Sequence, residues 1–355
     1  MKKARIALIG CGIIGNHHYN QFEKVLDIAE MVGFCDIIPE RAEKLAEKSG
    51  TAKAYDNYLD MLNDAKPDAV FIGIPPYCHG EIEYELIKRR IPFYVEKPLA
   101  LDIELAKDIC KKVKEAGLVT AVGFQCRYGT LPGITRKFCE EHKIVYIQGD
   151  RMSGIPSAPW WKVKSLSGGQ LVEQTIHNLD MVRFVFGEPE TVFSMNARNL
   201  INNPPEGYDT DDVSSTVVRF KSGALGVFST GCYVEKPEAI DAKFTFSAAD
   251  CRLEHRLIKD VKIYGQDTEA AEANEGNYVK GDGNIGQGSG KCVVYKEEND
   301  FAMLSERTFI EAAMKGDTNM VLCDYEDGMR SVAFTLACNE SMDTGLPVNV
   351  DDLLK

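Results

Sequence analysis

Residues 4 to 36 constrain this chain more than any other stretch. An apolar run, Ile6 to Ile9, leads into Gly10-x-Gly12-x-x-Gly15, with Ile13 and Ile14 inside the motif. Helix-compatible sequence follows, and a second apolar run, Met31 to Cys35, ends at Asp36. Strand, glycine turn, helix, strand and terminal acid together make one half of a dinucleotide site. Glycine permits a tight turn and lets main-chain N–H groups approach a pyrophosphate, while the helix N-terminus adds partial positive charge. A carboxylate about twenty residues past the last glycine can accept both ribose hydroxyl hydrogens of NAD and repels the 2′-phosphate of NADP. Gly10, Gly12, Ile13, Ile14, Gly15 and Asp36 are therefore the expected cofactor residues, with NAD preferred over NADP.

The same glycine pattern recurs at Gly281-x-Gly283-x-x-Gly286, and there the context is wrong. The upstream stretch is short and polar, and no helical pattern follows. That second match reads as a flexible loop.

A chain of 355 residues predicts about two domains, each able to bury a core. A formal charge of −13 argues against nucleic acid or an anionic membrane as partner, so local groups must hold an anionic cofactor. Eleven scattered cysteines form no Cys-x-x-Cys pair, as expected of reduced thiols in a cytoplasmic protein. Met-Lys-Lys before an apolar run has no small-residue cleavage site after it, and no stretch is long and apolar enough to span a membrane.

Candidate strands Ile6–Ile9, Met31–Cys35, Ala69–Ile74, Phe93–Val95 and Val119–Phe124 alternate with helical stretches such as Pro39–Lys48 and Ile103–Ala116. The alternation predicts an α/β domain over 1–124, a doubly wound parallel sheet covered by helices. Past Phe124 the texture changes. Asp212–Phe220 and Ala224–Thr230 flank Lys221-Ser222-Gly223 as a hairpin, and Lys243–Ser247 and Val261–Tyr264 are further strand-like runs. An α+β domain over 125–355 with an open, largely antiparallel sheet is expected. Residues 265–291 are polar, glycine-rich and too long for an ordinary connection, and either a disordered excursion or an active-site or oligomer loop fits them.

The order of motifs resembles the Gfo/Idh/MocA family, the glucose–fructose oxidoreductase and inositol dehydrogenase group, over nearly the whole chain. The residues that carry the resemblance are Gly10 to Gly15, Ile74-Pro75-Pro76-Tyr77-Cys78-His79, Glu96-Lys97-Pro98 and Gly123-Phe124-Gln125-Cys126-Arg127-Tyr128. Ser167-Gly168-Gly169 through Glu173, His177 and Asp180 follows, then Asp324-Tyr325-Glu326-Asp327 and Asn339-Glu340-Ser341. The resemblance implies a Rossmann half, a substrate half that also forms dimers or tetramers, and hydride exchange between NAD and a sugar, inositol or polyol alcohol. It needs no metal.

Lys97 stands where open α/β sheets bind ligands, and its ammonium can hydrogen-bond the reacting oxygen and favour its deprotonation. Spacings of four and three put Glu173, His177 and Asp180 on one helix face. In a cleft, His177 could take the hydroxyl proton while Glu173, where the family usually has Asp, orients or tunes the imidazole. Asp180 either binds substrate or closes the helix network. Pro75 and His79 are implied to border the nicotinamide ribose. Glu96 is expected to contact cofactor, and Gln125, after the sixth strand, cofactor or substrate. Arg127 contacts substrate or forms a structural ion pair. Trp160-Trp161, the only tryptophans, either stack on a sugar ring, Trp161 above all, or belong to the core. The loops 151–166 and 265–291 would shape the pocket. Two rivals share these residues: an NAD-retaining glycoside hydrolase that oxidises its sugar transiently, and a nicotinamide-binding sensor without turnover.

Overall fold

The computed structural model describes residues 3–265, 272–279 and 285–355. Its first sheet is parallel, in the order β3-β2-β1-β4-β5-β6. The strands are β1 (Ala4–Ile9), β2 (Ala29–Cys35), β3 (Lys53–Tyr55), β4 (Ala69–Ile72), β5 (Phe93–Val95) and β6 (Thr120–Val122). Helices α1 (Ile13–Phe22), α2 (Pro39–Ser49), α3 (Tyr58–Ala65), α4 (Glu81–Arg89) and α5 (Ile103–Ala116) cover it. Because both faces are covered, β4 and β5 are buried at every position and read as unbroken apolar runs. Local signals end the helices where expected. Pro39 opens α2 and left-handed Gly50 closes it, while Asp102 caps α5 and left-handed Gly117 ends it. The three-residue β3 carries too short a pattern to be read from sequence.

The strand order reverses between β1 and β4, and their carboxyl ends open a crevice where the glycine turn lies.

The second sheet runs β14-β15-β13-β12-β11-β7-β10-β9-β8-β16. Its strands are β7 (Tyr146–Met152), β8 (Pro189–Ala197), β9 (Val213–Phe220), β10 (Leu225–Gly231), β11 (Asp241–Ser247), β12 (Arg252–Arg256), β13 (Asp260–Tyr264), β14 (Glu272–Val279), β15 (Ile285–Lys296) and β16 (Val348–Asn349). All pairs are antiparallel except β7 with β10. The helices of this half are α6 (Thr130–Glu141), the single turn α7 (Lys164–Ser167), α8 (Ile176–Val185), α9 (Phe301–Lys315) and α10 (Tyr325–Thr344). Strict alternation along β9 buries Val218 and Phe220 against a core that includes Leu179 and Val182 of α8 and Phe334 of α10. Helix α9 returns to the first sheet, where Phe309 packs edge-on against Phe71 and Tyr94.

The expectation of a loop over 265–291 is corrected in part. Strands β14 and β15 pair there in antiparallel register, Glu272 opposite Cys292, and β15 also pairs with β13. Glycine and small polar residues supply no alternation of hydrophobicity, so these strands were invisible to periodicity. Gly281 and Gly283 lie outside the described residues. The 151–166 loop also begins later than expected, because Arg151 and Met152 end β7. No described helix is long and apolar enough to cross a membrane.

Candidate active site

The glycine turn has the form a dinucleotide needs. Gly10 sits at φ 90°, and a Cβ there would lie 2.3 Å from the Gly73 carbonyl oxygen. A Cβ on Gly15 would lie 2.0 Å from the Gly10 carbonyl oxygen, so the helix could not pack so closely on the strand. A Cβ on Gly12 would meet nothing within 4 Å, which leaves its face open. No side chain caps the N-terminus of α1. At the end of β2, Asp36 Oδ2 accepts the Cys11 N–H at 2.7 Å and Oδ1 accepts the Ile38 N–H at 2.9 Å. Both bonds fix the carboxylate beside the turn. Ile13 and Ile37 are 75% and 91% exposed, with Ile14 and Ile38 also uncovered. Bare apolar side chains around an uncapped helix end and a fixed acid fit the adenosine diphosphate half of a dinucleotide.

Lys97 follows β5 and reaches across to the second half. Its Nζ donates to the backbone oxygen and to Oε1 of Glu173, each at 2.8 Å. The other carboxylate oxygen of Glu173 accepts the indole N–H of Trp161 at 2.8 Å and a hydrogen bond from the Gln174 amide. Burial opposes the charge on Glu173, but Lys97, Gln174 and Trp161 hold its carboxyl below the usual range. These contacts revise two expectations. Glu173 fastens Lys97 rather than the imidazole of His177. Trp161 is wholly buried, and its ring offers no face to a sugar. The half-buried Trp160 instead meets the exposed Tyr77 edge-on, centroids 6.5 Å apart.

The helix carrying these residues opens with a π-helical turn, Leu171–Thr175, before α8. Glu173 lies in that turn, and His177 and Asp180 lie in α8. His177 is half-buried, edge-on to Phe124, and its Nδ1 is buried without a hydrogen-bond partner among the described residues. Burial, then the charges of Lys97 and Arg151, hold its pKa well below 6.5, so the ring is neutral. Asp180 points elsewhere. Its carboxylate pairs with Arg127 at 2.5 and 2.9 Å and accepts the Ser331 hydroxyl at 2.6 Å. Arg127 also binds Asp327, which pairs in turn with Arg183. Arg127 and Asp180 are 3% and 1% exposed. Their substrate role is therefore withdrawn in favour of the structural ion pair.

Two further cofactor expectations change. His79 is buried, its Nδ1 2.6 Å from Glu83 Oε1, while Gly80 N–H donates to Glu83 Oε2 at 2.7 Å. That arrangement starts α4 rather than presenting Nδ1 to a ribose. The Glu96 carboxylate turns inward, 3.3 Å from Nε2 of the fully buried His18, whose Nδ1 lies 2.8 Å from Glu306. Burial opposes the charged form of His18, but the two acids outweigh it and keep the ring protonated. Pro75 and Gln125 are half-buried, in the segments after β4 and β6.

Sequence reasoning passed over Arg151, Gln174, His18 and Glu306. For Arg151 a signal exists. Alternation along β7 places it in phase with buried Ile147 and Gly149, and an arginine on a covered sheet face is unusual. His18 and Glu306 are 288 positions apart, so only the fold could pair them.

A lysine with two of its three N–H bonds taken and a neutral imidazole beside it form a site that can accept and relay a hydroxyl proton.

A family model described as an oxidoreductase family, NAD-binding Rossmann fold (GFO_IDH_MocA), matches residues 4–124. The C-terminal alpha/beta domain of the same family matches residues 142–350. The chain is 31% identical over 229 residues to scyllo-inositol 2-dehydrogenase (NAD(+)) of Bacillus subtilis, spanning 63% of this chain and 66% of that protein. It is 26% identical over 355 residues to myo-inositol 2-dehydrogenase of Thermotoga maritima, spanning 99% of each. Its fold superposes with a TM-score of 0.80 on levoglucosan dehydrogenase in complex with NADH and levoglucosan, at 19% identity, covering 98% of this chain and 99% of that one.

Proposed function

The chain belongs to the Gfo/Idh/MocA family of NAD-binding oxidoreductases, and on that premise we propose that it oxidises a secondary alcohol of a sugar, inositol or related polyol. NAD, bound through the Gly10–Gly15 turn and Asp36, supplies the hydride acceptor when present.

The chain's own residues have the proton to manage. Two N–H groups of Lys97 are spent on Glu173, and the third, without a partner among the described residues, can donate to the substrate oxygen, lowering the cost of the alkoxide that develops as hydride leaves. His177 is neutral and can take the hydroxyl proton. For Nε2 to act as the base, the buried Nδ1 must carry the ring proton. The products are a ketone, a reduced cofactor and one proton held by the imidazole. The observation that carries this reading is the Lys97–Glu173 pair beside a neutral His177.

Association of identical subunits belongs to the same reading. The sheet face away from α6, α8 and α10 leaves Tyr146, Phe193, Met195, Val217 and Leu225 exposed. Phe193 pairs with Val217 and Leu225 with Tyr146 across adjoining strands, giving a contiguous apolar face suited to a dimer or tetramer. A cytoplasmic location fits eleven free thiols.

The deciding experiment is mass spectrometry of the protein with NAD and a panel of inositols, aldoses and glycosides. A product lighter by two hydrogens, matched mole for mole by NADH, is expected. Cleaved glycoside without accumulated NADH would replace this reading with internal recycling of the cofactor, and binding without any product would make the protein a sensor.

A further inference from the structure

Arg151, next to last in β7, is partly buried on the sheet face covered by α8, and it differs from the buried arginines. Arg127 meets Asp180 and Asp327, and Arg183 meets Asp327 and Glu188. Among the described residues the Arg151 guanidinium has only neutral hydrogen-bond partners, the Gln174 amide oxygen at 2.9 Å and the Asn178 amide oxygen at 3.4 Å. Its Nε is buried with no hydrogen-bond partner among the described residues. The carboxylate that acts on it, Glu173, is already engaged by Lys97, Trp161 and Gln174.

Charge around the cleft does not balance. Lys97 and Arg151 carry two positive charges, Glu173 one negative, and His177 none. A partly buried cation without a counter-charge is costly, and proteins of net charge −13 have no shortage of carboxylates to pair it with. Gln174 and Asn178 instead hold the fork by neutral acceptors, one helical turn apart, on the helix that presents His177. A guanidinium kept this way has donors left for a planar or tetrahedral oxyanion.

We infer that Arg151 binds an anionic group on the substrate, so that the sugar or polyol oxidised here carries a carboxylate or a phosphate. The inference rests on the substrate cleft being the one proposed above. It supplies a selectivity that the glycine turn and Lys97 do not contain, since those groups address the cofactor and the reacting alcohol alone.

The test is isothermal titration of the NADH-loaded protein with matched sets: D-glucose, D-glucuronate and D-glucose 6-phosphate, with the galacto and manno series beside them. The same sets are then assayed for turnover with NAD. At least one acid or phosphate should bind more tightly than its neutral counterpart by roughly 10-fold or more, the scale of one charge-assisted hydrogen bond. A uronate preference identifies a carboxylate substrate, and a phosphate preference a phosphorylated one. Arg151→Met should collapse the anionic-to-neutral ratio towards one, and Arg151→Lys should restore part of it. NADH affinity and melting temperature report that each variant is folded. If no anion is preferred by the wild type, or if Arg151→Met weakens neutral and anionic ligands alike, the inference is wrong and Arg151 is structural. The two readings fail separately: Arg151-dependent anion binding without NADH formation refutes the dehydrogenase but not the anion site. Neutral polyol oxidised without anionic preference does the reverse.

Discussion

Lys97 Nζ donates to both the main-chain oxygen and the carboxylate of Glu173, each at 2.8 Å, tying the loop after β5 to the helix that presents His177. One ammonium thus bridges the two halves of the molecule at the candidate site. Glu173→Gln keeps the size of the side chain but removes the charge, freeing Lys97 to move. Turnover should fall by up to roughly 10², the effect of about 1 Å of misplacement. Steady-state kinetics with a parallel NADH titration would check this. A normal kcat would mean that the pair only stitches the halves together.

His177→Ala should lower kcat by roughly 10² to 10⁴, the usual contribution of a positioned acid–base. Near-normal turnover by the variant would remove His177 from the mechanism.

The pH profile has a definite sign. Burial, Lys97 and Arg151 all disfavour the imidazolium of His177, so its folded-state pKa lies well below 6.5. The base is then unprotonated throughout the neutral range, and the acid limb of kcat/KM should fall below pH 6.5. Arg151→Met removes one of those charges and should move the limb upward. A limb at or above 6.5 in the wild type would contradict the electrostatics of the site.

Asp36→Ala should narrow the preference for NAD over NADP, measured as the ratio of the two kcat/KM values. The carboxylate also holds the N–H groups of Cys11 and Ile38, so some loss of affinity for both cofactors is expected. A wild type that already favours NADP would refute the ribose argument.

Arg127→Met leaves the buried carboxylate of Asp180 without its bidentate partner. It should destabilise the fold by about 3–5 kcal/mol, the cost of breaking a buried pair from one side. Urea unfolding followed by circular dichroism measures this. A stable variant with a raised KM would return Arg127 to the substrate site.

Much of the candidate site was legible because its parts are local. Gly10 to Gly15, Asp36, Lys97 and His177 each stand in a short stretch whose strand or helix pattern states where it sits. The readings that changed depend on partners far away in sequence. Asp180 looked like a neighbour of His177 until Arg127 and Ser331 claimed it. Of the two roles open to Trp161, burial and the hydrogen bond from its N–H to Glu173 favour the core over the sugar platform. Glu96 sits beside Lys97 in sequence, yet its side chain points away, to His18.

Periodicity and turn chemistry act over a few residues, and they alone determined the parallel sheet, the glycine turn at its edge, and the helix that bears Glu173 and His177. The destination of each side chain was decided by packing between segments tens to hundreds of positions apart. Glu173 and Asp180, seven positions apart, part because Lys97 claims one and Arg127 the other, both from segments far away in sequence. The charge left over at Arg151 belongs to that second category, because a cation's partners, or the lack of them, exist only once the fold has closed around it.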